Sequence, residues 1–209
     1  MTYIAVINAI VNVTSPPVAM NSGQISFVEN TASMTVVDLE GHAVPELLFT
    51  HGFGPAENTL QHHHTYSITG PFGQDSVTGR ASIKHTPLNH ADVTGINFPD
   101  CELAGRATIT GVARVISFYL EDGPINGPDW DMVLTASHEY YDVIVQRRLT
   151  FNVLYRFGHA TPLGQFWPHI TAGSAIWVHG NIISKDRDTL EFAVMVSQYT
   201  LLGEIFATT

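Results

Sequence analysis

Positive charge is what this chain has least of. Its 209 residues hold 9 Lys and Arg against 19 Asp and Glu, a formal charge of −10. No Lys or Arg precedes Arg80, while Glu29, Asp38, Glu40, Glu46, Glu57 and Asp75 all do. Phosphate binding depends on Lys and Arg displacing counterions, so residues 1–79 should repel nucleic acid and anionic membrane. Cysteine is nearly absent. Cys101 alone excludes an internal disulfide framework and a cysteine-based zinc finger. Its neighbours Asp100 and Glu102 disfavour an anionic nucleophile there. No apolar run reaches membrane-spanning length, and the N-terminus lacks a basic region before an apolar one. A soluble intracellular protein, nuclear or cytoplasmic and not secreted, is the expectation.

Catalytic signatures are lacking too. There is no Gly-x-Ser-x-Gly elbow and no phosphate-binding Gly-x-x-x-x-Gly-Lys-Ser/Thr loop. The acid pairs Glu121-Asp122 and Asp129/Asp131 sit beside Gly and Pro without the ligand ladder of a calcium loop. The expectation is a non-enzymatic protein without a cofactor.

What the chain does have is a core and many short strands. Hydrophobic residues make up 44% and charged residues 13%, which argues against disorder. Seventeen Gly and eleven Pro are dispersed, as turns between short strands require. Expected strands are Tyr3–Val13, Gln24–Val28, Ala32–Leu39, Leu60–Thr69 and Val77–His85. Pro45–Phe53 reads equally as a strand or a helical turn. Gly70-Pro71-Phe72-Gly73 should end the strand before it, and residues 86–99 read as a domain boundary. After that come a long strand at Leu103–Leu120, bent at Gly105 and Gly111, and strands at Trp130–Tyr141, Leu149–Phe157, Ser174–Ile183 and Thr189–Ser197. Two units follow, an acidic β region over 1–100 and a barrel over 101–209. Thr78–Ile83 and Ala104–Ile109 are faintly alike, which leaves related barrels open.

Eleven histidines include the run His62-His63-His64. On a strand, His62 and His64 would share a side and could hold a metal with His51, His85 or His90 as third ligand. No fixed His-x-x-x-His or carboxylate pairing defines such a site.

The region 149–199 carries the most information. Leu149, Phe151, Val153, Tyr155 and Phe157 alternate with Thr150, Asn152, Leu154 and Arg156. Ile176 and Val178 alternate with Trp177 and His179, and Leu190, Phe192, Val194 and Val196 share one face. A period of two puts one face in a core and leaves the other available. Gly173-Ser-Ala-Ile-Trp-Val-His-Gly180, a polar turn, then Leu190-Glu-Phe-Ala-Val resembles the fourth and fifth strands of the OB-fold superfamily, in its single-stranded-DNA-binding and replication-protein branch. The resemblance spans 103–199 and implies an all-β, OB-like small barrel, with residues 1–100 forming a second barrel or an elaboration. It also implies oligonucleotide binding on the outer face of strands two and three. Stacking platforms would come from Phe118, Tyr119, Tyr140, Tyr141 and Trp177. Phosphate contacts would come from Arg106, Arg114, Arg147, Arg148, Arg156, Lys185 and Arg187. The expected partners are therefore single-stranded nucleic acid and a protein partner or second copy, with no membrane. Two other readings stand: a self-assembling structural β protein, and a carbohydrate-binding module suggested by aromatics and Asn/Asp-rich turns.

Overall fold

A computed structural model describes residues 2–22, 25–38, 41–54, 59–95, 99–121, 131–158, 161 and 168–202. Twelve strands and one helical turn follow in order: β1 Ala5–Val13, β2 Val18–Ser22, β3 Ile25–Val37, β4 Ala43–Gly52, β5 Thr65–Gln74, β6 Ala81–His85, β7 His90–Asp92, α1 Asp100–Leu103, β8 Thr108–Glu121, β9 Asp131–Asp142, β10 Arg147–Phe157, β11 Ala175–Lys185 and β12 Phe192–Leu201.

The strands close into two rings. In the first, β1 pairs with β3, β3 with β4, β4 in parallel with β6, β6 with β5, and β5 returns to β1. In the second, β8 pairs with β9, β9 with β10, β10 in parallel with β12, β12 with β11, and β11 returns to β8. Numbered within each ring, the order is 1-2-3-5-4-1 both times. Residues 1–100, expected to form a second barrel or an elaboration, hold a closed ring built like its neighbour. β2 adds to β3, and β7 adds to β5.

Alternation fixes which residues fill the rings. In β1, Ala5, Ile7, Ala9, Val11 and Val13 are buried and the residues between them are more exposed. In β10, Phe151, Val153, Tyr155 and Phe157 point inward, as the period of two requires. β-branched and aromatic side chains suit such half-buried pleated surfaces. The barrels join where β1 pairs with β8, Ala5 opposite Gly111 and Ile7 opposite Ile109. Phe72 of β5 packs edge-on against Phe151 and Phe192 of the second barrel, with centroids 5.6 and 5.5 Å apart. One hydrophobic cluster therefore runs through both rings.

Several sequence expectations change here. Gly70-Pro71-Phe72-Gly73 does not end a strand but lies within β5, with Pro71 opposite Val6. A Cβ on Gly70 would lie 1.9 Å from the Lys84 carbonyl oxygen, and one on Gly73 would lie 1.9 Å from Cγ of Tyr140. These glycines permit close approach, a use that composition does not separate from turning. The expected strands at 24–28 and 32–39 are one strand, β3. Residues 43–52 are a strand, not a helical turn. β2 follows Pro16-Pro17 and has no counterpart among the expected strands. Residues 76–78 form a turn, so β6 begins at Ala81. Asp122 and Asp129 of the acidic pairs lie outside the described residues. Among the described residues no helix is long and apolar enough to cross a membrane.

Candidate nucleic-acid interface

The outer wall of β8, β9 and β10 gathers five of the residues singled out in the sequence. Arg114 lies opposite Ser137, which lies opposite Asn152. Tyr119 lies opposite Val133, which lies opposite Arg156. At the other end Tyr141 lies opposite Arg148. Directly paired residues share a face, so Arg114, Tyr119, Arg148 and Arg156 look outward together, with Tyr141 beside them. Tyr119 and Tyr141 are 51% and 41% exposed. From Arg148 to Arg156 the wall extends about 26 Å at the usual strand rise.

Carboxylates occupy most of the guanidinium groups. Arg156 Nη1 donates to Glu121 Oε2 at 2.8 Å, and Tyr119 Oη donates to Glu121 Oε1 at 3.1 Å. Burial first, then its hydrogen bond to Glu121, pushes the Tyr119 phenol above its ordinary pKa. Arg148 lies 3.5 Å from Glu139 across the strand pair. Asn152 Nδ2 donates to Glu191 Oε1 at 3.2 Å. Such half-exposed pairs are worth on the order of 0–1 kcal/mol each, so a phosphate can replace a carboxylate at little cost.

Beside this wall the β5–β6 turn and the β11–β12 turn form a polar groove of about 300 Å³, lined by Gln74, Ser76, Thr150, Asn152 and Glu191. It continues past Arg147 and Arg148 along Asp75 and Ser76. The turn is held by Asp75, whose carboxylate accepts the backbone N–H groups of Val77 and Thr78 at 2.8 and 3.0 Å. Those bonds, Thr78 first, draw the Asp75 pKa below its ordinary value. Gln74 Nε2 ties the two turns by donating to the Leu190 carbonyl at 2.5 Å.

The remaining sequence candidates lie elsewhere. Arg147 is exposed at the start of β10, at the groove's end. Arg106 follows α1, where its Nε donates to the Glu102 carbonyl at 2.8 Å, away from the wall. Trp177 is on the outer side of β11 opposite Val112, one outward position along β8 from Arg114, and stacks with His179. Tyr140 is only 4% exposed and points into the junction between barrels, which removes it as an accessible platform. Lys185 is likewise withdrawn: it pairs with Glu46 of β4 and donates to the Gly79 carbonyl at 3.0 Å. Arg187 lines an inter-barrel cleft with Asp38, Glu46 and Lys185. His62 and His63 form a turn before β5, not part of the strand, and His64 pairs with Asp92 at 2.7 Å. Among the described residues no group of three metal-ligating side chains converges.

The first barrel's matching wall is filled from inside the molecule. Glu29, His51 and Lys84 lie side by side across β3, β4 and β6. Arg80 lies 3.7 Å above the Phe49 ring and reaches Glu29 at 2.5 Å. Against this wall sits Tyr140. Its hydroxyl accepts from Ser82 Oγ at 2.8 Å and lies 3.5 Å from His51 Nδ1. Lys84 Nζ lies over the Tyr140 ring and donates to the Tyr141 carbonyl. Burial raises the Tyr140 phenol to about 12 and, as the largest cause, lowers both Lys84 and His51. The open wall is therefore the second barrel's. The sequence pattern already puts Thr150 and Asn152 on that wall. It holds no signal for the groove, which needs a turn from the other barrel.

Two closed five-stranded barrels, each with strand order 1-2-3-5-4-1, define an all-β, tandem OB-fold protein, as the strands of 149–199 resemble. No family model matches the chain, and no curated protein matches it in sequence. Among solved structures it is similar over nearly its whole length to a deletion mutant of the single-stranded DNA binding protein from Thermus aquaticus. The TM-score is 0.55 at 15% identity, covering 98% of this chain and 97% of that one. At that identity the likeness is one of fold.

Proposed function

We propose that this chain is a non-enzymatic OB-fold binding protein whose ligand is single-stranded nucleic acid, held on the outer wall of β8–β10. The observation that carries the reading is the convergence of Arg114, Arg148, Arg156, Tyr119 and Tyr141 on the strand-two and strand-three face, where OB-folds take oligonucleotides. The full-length likeness to a single-stranded DNA binding protein supports it. Bases stack on the tyrosines and phosphates exchange with Glu121 and Glu139 on the arginines. Two of the three arginines on the wall already face a carboxylate, so affinity is modest and strongly salt-dependent. Arg147 and the groove extend the path toward the first barrel, and Trp177 extends it around β8.

Fluorescence anisotropy with a labelled single-stranded oligonucleotide at low salt tests the reading. Micromolar binding is expected, weaker for duplex. Replacing Arg148 and Arg156 together by Ala should weaken binding at least tenfold and reduce the salt slope by about 1 per arginine. No binding at tens of micromolar protein removes the nucleic-acid reading.

A further inference from the structure

The polar groove beside the β10 wall carries hydrogen-bond acceptors in one part and guanidinium groups in the next. In the first part, Asn152 Nδ2 donates to Glu191 Oε1 at 3.2 Å, and among the described residues Glu191 Oε2 has no hydrogen-bond partner. Gln74 is 3% exposed. It spends its Nε2 on the Leu190 carbonyl at 2.5 Å, and its buried Oε1 has no partner among the described residues. Thr150 and Ser76 add hydroxyl groups. The second part shares Ser76 and Thr150 with the first and is lined by Arg147 and Arg148. Asp75, the acid there, already accepts the N–H groups of Val77 and Thr78. Arg148, Thr150 and Asn152 leave β10 on one face. Arg148 and Asn152 are therefore about 13 Å apart along the strand, a span that one nucleotide and the two side chains bridge together.

We propose that this groove selects guanine, with the base against Glu191 and its phosphate on Arg147 and Arg148. For a base within a strand the proposal rests on the nucleic-acid reading above; for a free guanine nucleotide it stands without it. An ionised carboxylate only accepts hydrogen bonds, so the group it selects must present donors. Guanine carries N1–H and the N2 amino group side by side on its Watson–Crick edge, and both can meet one carboxylate. Adenine and cytosine set a ring-nitrogen acceptor beside their amino group, and thymine flanks its single N–H with two carbonyls. Each of those bases places an acceptor against Glu191, and a site built for a donor rejects the analogue that lacks it. The unpaired Gln74 Oε1 adds a further acceptor to that wall, and the Ser76 and Thr150 hydroxyls supply donors for the guanine O6. A metal ion or an amine would also satisfy a carboxylate, but Arg147 and Arg148 next door repel a cation. At about 300 Å³ the first part lies at the lower end of small-ligand pockets, the size for one base.

Two titrations of the full chain separate the sources of the base. Calorimetry with GMP, IMP and AMP reads the free nucleotide. Fluorescence anisotropy with an oligothymidylate carrying a single central dG, dI, dA or dC reads the base within a strand. In at least one of them guanine should bind about tenfold more tightly than adenine, the discrimination of one good bidentate contact. Inosine keeps N1–H and lacks the 2-amino group, so it should fall between the two. Glu191→Gln turns one carboxylate oxygen into a donor and should collapse the guanine-to-adenine ratio, which is read within each variant and so does not depend on overall affinity. Arg147→Ala should weaken GMP and AMP alike, because it meets the phosphate. Equal affinity for guanine and adenine in both titrations overturns the proposal. So does a preference that survives Glu191→Gln, or inosine that binds as tightly as guanine. Oligonucleotide binding without any guanine preference in either titration sinks this proposal and keeps the nucleic-acid reading. Selective GMP binding with no oligonucleotide binding does the reverse.

Discussion

Acidification should destabilise this protein well above the pH at which its carboxylates titrate. His138 is fully buried in the second barrel, with its Nε2 2.6 Å from the Tyr155 hydroxyl and its ring stacked on Phe151. Burial lowers its pKa from 6.5 to about 4, partly offset by backbone hydrogen bonding at Val112 and Tyr3. His85, in the first barrel, is lowered to about 3, first by burial and then by the nearby imidazoles of His90 and His51. Among the described residues its Nε2 has no hydrogen-bond partner, its Nδ1 lies 3.0 Å from His90 Nδ1, and its ring fills the space that a Cβ on Gly52 would need. Both histidines stay neutral when folded and become protonated when unfolded. Between pH 6.5 and about 4 the unfolded chain therefore binds more protons, and stability falls as pH falls. Each group costs about 1.4 kcal/mol per pH unit over that window. At pH 5 each costs about 2 kcal/mol, and the two together about 4 kcal/mol relative to neutrality. That is a large share of the roughly 5–15 kcal/mol that keeps a domain folded. Urea unfolding at a series of pH values measures the slope, to which these two groups add about 2.7 kcal/mol per unit between about pH 6 and 4.5. His138→Gln removes one titrating group and should reduce the slope by about 1.4. A flat stability from about pH 7 to 5, or an unchanged slope in the variant, would refute the assignment of neutral buried imidazoles.

Two further perturbations test the junction between barrels. Gly73→Ala places a methyl 1.9 Å from the Tyr140 ring, and overpacking of this kind should cost about 1–3 kcal/mol or more in urea unfolding. Combining it with Tyr140→Ala should cost less than the sum of the two single changes, and strict additivity would argue against the contact. Lys185→Met strands the Glu46 carboxylate at a site where the lysine side chain is only 11% exposed. It should cost about 2 kcal/mol, part of it recovered by adding Glu46→Gln, and an unchanged stability would remove the pair as a tie between barrels.

The strands of the second barrel are legible because alternation is local. Phe151, Val153, Tyr155 and Phe157 can be assigned inward from their neighbours alone, and each of them is buried. The resemblance to OB-fold strands follows from the same local pattern. The first barrel is harder to read. Gly70, Pro71 and Gly73 carry the usual punctuation of a turn, yet β5 runs through them, because the Lys84 carbonyl and the Tyr140 ring need the space that a side chain would fill. The histidine run misleads for a similar reason. Nothing in Gln61-His-His-His-Thr distinguishes a strand from the turn in which His63 takes a φ of 68°.

The candidate interface divides along the same line. The sequence by itself determined that fixed cations are few and begin only at Arg80, and that Arg156 shares a strand face with Thr150 and Asn152. Strand register and ring closure decided the rest. They set Arg114 level with Asn152, Tyr119 level with Arg156, and Tyr141 beside Arg148. They also sent Tyr140 against the first barrel's wall and Lys185 to Glu46, although both read as surface ligand residues. The physical reason is that a two-residue period fixes only which way a side chain leaves its own strand. Which side chains then meet depends on pairing between segments far apart in the chain, and no local pattern encodes that pairing.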